Sequence, residues 1–194
     1  MKANFLLRIL CIFLITLNSF GQSSKKDEGI KLGFKGGLNI SNFLSSDIED
    51  QSYRTSFHVG FLSEIMLSEK VSFQPELLFS SQGNVGPQTK QKYSYINVPL
   101  MMRYYFLNNL SLDAGPQLGF LVDSFSRGND GNQDVKDQSF FDFALCLGAT
   151  YELKNNIFFQ GRYNLGMLNV NAADNSDILK YQNSVIQLSV GYNF

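Results

Sequence analysis

The side chains with the clearest chemical potential are six charged residues that fall at polar positions of alternating segments. They are Lys35, Glu64, Glu76, Arg103, Asp113 and Arg162. Three are positive and three are negative, so the set as a whole is neutral. An unpaired charge is costly to bury, so an interior that enclosed these groups would require ion pairs and hydrogen bonds between them. Two interpretations follow, a plug of paired charges that fills an interior and a charged constriction that lines a pore.

A second candidate is His58, the only histidine in the chain, which is predicted to face inward near one rim of the structure. Asp142 is predicted at a similar height of the structure, with Ser56 and Ser139 close in sequence to this pair. Acyl transfer or proteolysis by such groups needs a nucleophile, a base and an orienting residue in mutual hydrogen-bond contact. Sequence spacing does not supply that contact, and we favour a hydrogen-bonded polar residue without an enzymatic role.

No metal site, nucleotide site or cofactor is predicted. One histidine and two cysteines give no metal-ligand spacing, and Gly36-Gly37 does not open a helix as a phosphate-binding loop does. Three acidic residues share one predicted loop: Asp130, Asp134 and Asp137. Because they lack the ordered spacing of a calcium-binding loop, we expect a solvated loop there.

The composition points to one ordered domain. Of 194 residues, 44% are hydrophobic and 14% aromatic, but only 17% are charged, against about 25% in typical soluble domains. The apolar content excludes intrinsic disorder. The net charge of −1 argues against a nucleic-acid partner, since nucleic-acid-binding domains usually carry a strong basic excess.

The N-terminus has the layout of a secretory signal peptide over residues 1–21. Lys2 and Arg8 precede an apolar run at residues 9–17, and a short polar stretch then ends at Gly21. The run is too short to span a bilayer, although an N-terminal membrane anchor is the alternative. Residues 22–29 would form a short segment and residues 30–194 the folded domain, with Cys146 as the only cysteine.

Apolar and polar residues alternate through the rest of the chain in eight runs, which predict β-strands. The runs cover residues 31–41, 57–67, 71–80, 95–106, 110–122, 141–152, 157–166 and 186–194. Short turns are predicted at Ser68–Lys70, Leu107–Asn109 and Lys154–Asn156. Longer loops are predicted at Phe43–Thr55, Gln82–Lys92, Asp123–Ser139 and Leu168–Asn183. An even number of strands with turns of alternating length is typical of small outer-membrane barrels.

The composition of the two strand faces distinguishes a membrane barrel from a soluble one of the lipocalin kind. A water-facing exterior should be rich in Lys and Glu, but the polar face here is mostly Gly, Ser, Asn and Gln. Such residues fit the narrow interior of an eight-stranded barrel, which also favours a plug over a pore. The apolar face carries no charge, as lipid contact requires. The predicted fold is all-β, an eight-stranded antiparallel up-and-down transmembrane β-barrel with periplasmic termini.

Two groups of residues refine this prediction. Six aromatic residues near strand ends are expected in an interfacial girdle on the periplasmic side: Tyr104, Phe106, Tyr151, Phe159, Tyr192 and Phe194. Pro75, Pro99 and Pro116 lie inside predicted strands, where a proline removes a ladder donor. We therefore expect bulges or rim positions at these prolines.

Four segments resemble the PorT-type outer-membrane β-barrel domain of Bacteroidetes-like bacteria. They are residues 32–41 (LGFKGGLNIS), 95–100 (YINVPL), 114–119 (AGPQLG) and 190–194 (VGYNF). The resemblance covers nearly all of the predicted mature chain and implies a small outer-membrane barrel, while its motifs are almost silent on activity. A terminal Phe194 with Tyr192 two residues earlier also resembles the signal that barrel-assembly machinery reads.

The predicted function is that of an integral outer-membrane protein with a structural or surface-binding role and no enzymatic activity. Its expected partners are outer-membrane lipid, the barrel-assembly machinery and an extracellular or envelope protein that contacts the long loops. The alternatives are a narrow channel for small solutes and an enzyme at the barrel rim.

Overall fold

A computed structural model describes most of the predicted folded domain. The described residues are 29–44, 53–85, 90–128, 131–134, 140–167 and 182–194. The predicted signal peptide lies outside these ranges, as do most of residues 22–29 and parts of each predicted long loop. In this part of the chain no helix is long and apolar enough to cross a membrane.

Within the described residues, nine β-strands form one sheet. They are β1 (Lys31–Leu44), β2 (Arg54–Ser68), β3 (Val71–Val85), β4 (Lys90–Leu107), β5 (Leu110–Gly128), β6 (Gly131–Asp134), β7 (Phe141–Glu152), β8 (Ile157–Gly166) and β9 (Gln182–Asn193). The short β6 pairs only with the end of β5 and extends that hairpin. The other eight strands each pair antiparallel with two neighbours, and β1 pairs with β9 to close the ring. The predicted eight-stranded antiparallel barrel is confirmed.

The stagger of this barrel leaves a narrow interior. The stagger can be measured by stepping from Glu152 on β7 to its paired residue on the next strand, and so on around the ring. One full circuit ends at Asp142, which is also on β7 and ten residues away from the start. A closed sheet of eight strands with such a shear has an interior just wide enough for packed side chains.

The two ends of the barrel differ in their connections. At the end called here the turn end, β2–β3 and β4–β5 are joined by two-residue turns, and β7–β8 by a short connection at residues 153–156. Both described chain ends lie there, since the backbone nitrogen of Phe194 donates to the Leu32 carbonyl at 2.7 Å. The opposite end is called the loop end.

The predicted loop Gln82–Lys92 is wrong in its bounds, because β3 and β4 stay paired as far as Val85 and Lys90. The β5 strand likewise enters the predicted loop Asp123–Ser139 and reaches Gly128. A ladder needs only backbone donors and acceptors, whereas apolar alternation is needed only where one face meets an apolar solvent. The residues of these strand extensions therefore show no alternation of apolar and polar side chains.

The apolar face of each strand points outward and the polar face inward. Leu147, Phe61 and Leu188 are 64%, 66% and 53% exposed on the outer surface. The six aromatic residues expected in the girdle are also exposed on the outer surface. The interior is less uniformly polar than predicted, because Leu78 and Met101 point inward and are fully buried.

The expectation of bulges or rim positions at the prolines is wrong. Pro75 lies opposite Leu100 and Pro99 opposite Gln117, both within the wall. Beside each of these two prolines the ladder is interrupted for two residues and then resumes in the same register. Pro116 pairs with Leu145 in an unshifted ladder. Neighbouring pairs on both sides hold the register, so the missing donors are tolerated without an extra residue.

Gly37 faces the interior at a position where no side chain fits. A Cβ atom there would overlap the carbonyl oxygen of Leu188 on β9. We expect Gly37→Ala to destabilise the barrel by about 1–3 kcal/mol, as overpacking usually does. Gly161→Ala is the matched control, because the nearest atom to its Cβ is 4.0 Å away. Urea unfolding in detergent should show a lowered midpoint for the first variant only.

Candidate functional site in the barrel interior

All six charged residues singled out in the sequence point into the interior, and each is at most 2% exposed. They come from six different strands, so only closure of the barrel places them together. The structure arranges them as a central cluster (Lys35, Glu76 and Arg162) and a turn-end cluster (Glu64, Arg103 and Asp113).

The central cluster is organised around the Glu76 carboxylate on β3. Arg162 on β8 binds it with two parallel bonds, Nη1 to Oε2 at 2.9 Å and Nη2 to Oε1 at 2.7 Å. Lys35 Nζ on β1 lies 2.8 Å from Oε2, and Gln74 Nε2 donates to Oε1 at 2.7 Å. Bidentate Arg–carboxylate pairs of this kind are among the strongest and most directional in proteins.

The turn-end cluster is organised around the Arg103 guanidinium on β4. Its Nε donates to Asp113 Oδ1 at 2.9 Å, and Nη1 lies 3.6 Å from Glu64 Oε1. The Tyr105 hydroxyl also donates to Glu64, and Thr150 Oγ1 donates to Asp113 Oδ2 at 2.6 Å. Each acidic group in this cluster therefore has a charged partner and a neutral donor.

Gln160 on β8 joins the two clusters. Its Oε1 accepts from Lys35 Nζ at 2.7 Å, and its Nε2 donates to Asp113 Oδ2 at 2.8 Å. The central cluster has two cations and one anion, and the turn-end cluster has two anions and one cation. Each cluster alone would bury an excess charge, whereas the joined network is neutral.

Five neutral side chains of this network were not predicted from the sequence: Gln160, Thr150, Gln74, Ser72 and Tyr105. Ser72, for example, donates to Glu64 Oε1 at 2.6 Å. The alternation of polar and apolar residues does place all five on the inward face of their strands. Residues of the same type at other inward positions have other partners, however, so position alone does not single these five out.

His58 faces the interior, as predicted, and is 1% exposed, so its ring is enclosed by the barrel and not open to solvent. Its Nδ1 is 2.8 Å from Asn39 Oδ1 and its Nε2 is 2.8 Å from Ser189 Oγ. Asn39 Nδ2 donates to the Phe57 and Ser81 carbonyls, which fixes the amide orientation and makes Oδ1 the acceptor. His58 Nδ1 therefore carries the hydrogen, and Ser189 donates to Nε2.

This chain of contacts has the order of a nucleophile, a base and an orienting amide. Asn39, His58 and Ser189 are at most 7% exposed, however, and the Asn39 amide is held by backbone carbonyls of the wall. These contacts give each of the three buried side chains a hydrogen-bond partner. His58 is bonded to Asn39 and Ser189, and neither Asp142 on β7 nor Ser56, which bonds the Ser81 carbonyl, is its partner. Ser139 lies outside the described residues.

The loop end of the interior and the outer wall at the turn end are both aromatic. Tyr93, Tyr95 and Leu121 form a buried apolar cluster towards the loop end. On the outer wall at the turn end, Phe34 packs within 6.4 Å of Tyr192 and 6.0 Å of Phe194, measured between ring centroids. The two residues proposed as an assembly signal thus cover the seam where β1 meets β9.

Among the described residues no group of three or more His, Cys, Asp or Glu side chains is arranged to hold a metal ion. Of the three loop acids considered above, Asp130 and Asp137 lie outside the described residues. Asp134 is the last residue of β6 and pairs with Phe125.

A closed antiparallel barrel with an apolar outer wall and a polar interior is the architecture of a small outer-membrane protein. The family model described as "Outer membrane protein beta-barrel domain" matches residues 20–171. The chain belongs to this family and is a small β-barrel protein of the outer membrane. No curated protein sequence matches it.

Two solved structures show the same fold. Ail, the attachment invasion locus protein of Yersinia pestis, is 12% identical with a TM-score of 0.54, over 85% of this chain and 99% of Ail. Neisserial surface protein A (NspA) is 14% identical with a TM-score of 0.58, over 86% of this chain and all of NspA. Likeness at this level of identity concerns the fold alone.

Proposed function

We propose that this protein is a closed, non-conducting barrel without enzymatic activity, which acts through its surface and its loop-end segments. The observation that carries the proposal is the interior network, in which six ionisable side chains from six strands are at most 2% exposed. A solute crossing the barrel would have to break several buried, charge-assisted bonds. If the interior network only fills the barrel, any binding partner would contact the outer surface or the loop end.

The proposal includes an orientation and an export route. Short turns are periplasmic and long loops extracellular in outer-membrane barrels, so the turn end would face the periplasm. Residues 1–21 would be removed as a signal peptide, and Tyr192 with Phe194 would be read by the barrel-assembly machinery. The four segments quoted above support the PorT-type branch of the family, and an extracellular or envelope protein would bind the loop end.

Planar-bilayer recording tests the proposal. We expect the wild-type barrel to give no stable conductance steps, because the paired charges leave no continuous water path. A water-filled porin in the same bilayer shows that the recording would detect a channel. Heat-modifiable migration on a denaturing gel verifies that the silent protein is folded. Stable steps from folded wild-type protein would show that the interior conducts and would favour the narrow-channel alternative.

A further inference from the structure

The carboxylate of Asp142 is buried inside the barrel outside the two charged clusters. Asp142 is the second residue of β7 and is 8% exposed. Among the described residues, no lysine or arginine forms an ion pair with it. The Asn183 side chain hydrogen-bonds this carboxylate, but its Oδ1 atom has no partner. Because the joined network is already neutral, Asp142 adds a negative charge that no described side chain compensates, which is costly in a buried place.

Gly119 on β5 keeps a small space open beside this carboxylate. Gly119 pairs with Asn97 on β4 and with Asp142 on β7, so the three residues form one row across the wall. A Cβ atom at Gly119 would lie 3.1 Å from Asn97 Oδ1 and 3.2 Å from Asp142 Cβ. Glycine at this position therefore leaves the space between the amide and the acid free of a side chain from β5.

Further unpaired polar atoms belong to the same part of the interior. Asn97 is 1% exposed and its Nδ2 has no partner, and Asn164 on β8 is 2% exposed with neither amide atom paired. Asn164 lies opposite Cys146, four residues from Asp142 along β7. Buried polar atoms of this kind usually bond ordered water or a ligand. The set contains both donors and acceptors, which suits water molecules around an ion.

An apolar cluster lies next to this row on its loop-end side. It is the buried cluster of Tyr93, Tyr95 and Leu121 described above. Tyr95 lies two residues from Asn97 along β4, and Leu121 lies two residues from Gly119 along β5. Little water therefore screens the Asp142 carboxylate, and its attraction for a cation is stronger than it would be at the protein surface.

We propose that Asp142 and Asn97 bind one monovalent metal cation inside the barrel. Carboxylate, amide and water oxygens are the ligands that hard cations prefer. Asp142 Oδ1 would supply the negative charge and Asn97 Oδ1 a neutral ligand, while water molecules on the ion would bond the Asn164 amide. A singly charged ion makes the site neutral, whereas a divalent ion would leave a buried positive charge. The inference depends neither on the proposed orientation nor on whether the barrel conducts.

Urea unfolding in an uncharged detergent at neutral pH tests this site. Sodium chloride replaces the chloride of N-methylglucamine, a bulky organic cation, at constant ionic strength. We expect the folding equilibrium constant of wild type to rise about tenfold once Na⁺ reaches about nine times its dissociation constant. Asp142→Asn should be more stable than wild type in the organic cation alone, and Na⁺ should not change its midpoint. Asp123→Asn, which alters an exposed acid of β5, is the matched control and should respond as wild type.

Sodium NMR relaxation measures binding directly. Wild type and Asp123→Asn should accelerate the relaxation of Na⁺ more than Asp142→Asn does. Equal responses of wild type and Asp142→Asn to Na⁺ in both measurements would overturn the proposal, since the ion would then act elsewhere. So would a wild-type midpoint that ignores Na⁺ and changes only with pH, because a proton would then neutralise Asp142. A response to Ca²⁺ without one to Na⁺ would overturn the choice of a singly charged ion.

Two further measurements separate this inference from folding and from the proposed function. Heat-modifiable migration shows that each variant forms the barrel. Planar-bilayer conductance reports on the closed interior independently, so a conducting barrel that still binds Na⁺ at Asp142 would contradict only the proposed function.

Discussion

Glu76→Gln is expected to destabilise the barrel by about 3–5 kcal/mol, the usual effect of removing one partner from a buried ion pair. The Glu76 carboxylate binds both Lys35 Nζ at 2.8 Å and Arg162 Nη2 at 2.7 Å. Glutamine keeps the shape of the side chain but removes its charge. Two cations would then share a fully buried space with no anion in direct contact.

Urea titration of the barrel in detergent, followed by heat-modifiable migration, measures this loss. Glu69→Gln is the matched control, because Glu69 is an exposed residue of the turn between β2 and β3. Its unfolding midpoint should equal that of wild type. A second variant, Glu76→Gln/Arg162→Met, removes one of the uncompensated cations and should be less destabilised than the sum of the single changes. A wild-type midpoint for Glu76→Gln alone would show that the network contributes little to stability.

Leu147→Arg is expected to destabilise insertion by about 2–4 kcal/mol, the cost of a cation on the lipid face near the bilayer midplane. Leu147 lies in the middle of β7, and its side chain is 64% exposed on the outer wall. The same degree of exposure in water would make the substitution nearly neutral. The size of the destabilisation therefore shows whether lipid or water surrounds this face of the barrel.

Folding into phospholipid vesicles at a series of urea concentrations measures the change. Leu107→Arg is the matched control, since Leu107 is 55% exposed but lies at the turn-end limit of β4. Near the interface the cost should fall to about 0–1 kcal/mol. Equal effects at the two positions would contradict the assignment of Leu147 to the hydrocarbon region.

Much of the architecture was predictable because a barrel wall separates two solvents. Leu147 and the other outward residues contact the apolar solvent. Their alternation with polar residues predicts where the strands lie and which side chains point inward. The three short turns were predicted for the same reason, since they interrupt that alternation. The pattern stopped being informative where both faces are polar, and β3, β4 and β5 extend beyond their predicted ends.

The prolines show a second limit of local reasoning. Pro75 and Pro99 each remove a backbone donor from a strand, and bulges or rim positions were therefore expected there. Pairing on both sides of each proline holds the register in the folded barrel. That support comes from the neighbouring strands, so the pattern within a single strand does not reveal it.

By itself the sequence determined which charged residues face inward, because the strand period assigns Lys35, Glu76 and Arg162 to the polar face. Only the tertiary structure decided their partners. The bond between Arg162 and Glu76 joins residues 86 positions apart, and the bridge from Lys35 to Gln160 spans 125 positions. These contacts depend on the shear of the closed barrel, which sets the height of each strand relative to the others. Alternation reports only the direction of a side chain from its own strand, so the height at which two inward residues meet is a property of the closed ring.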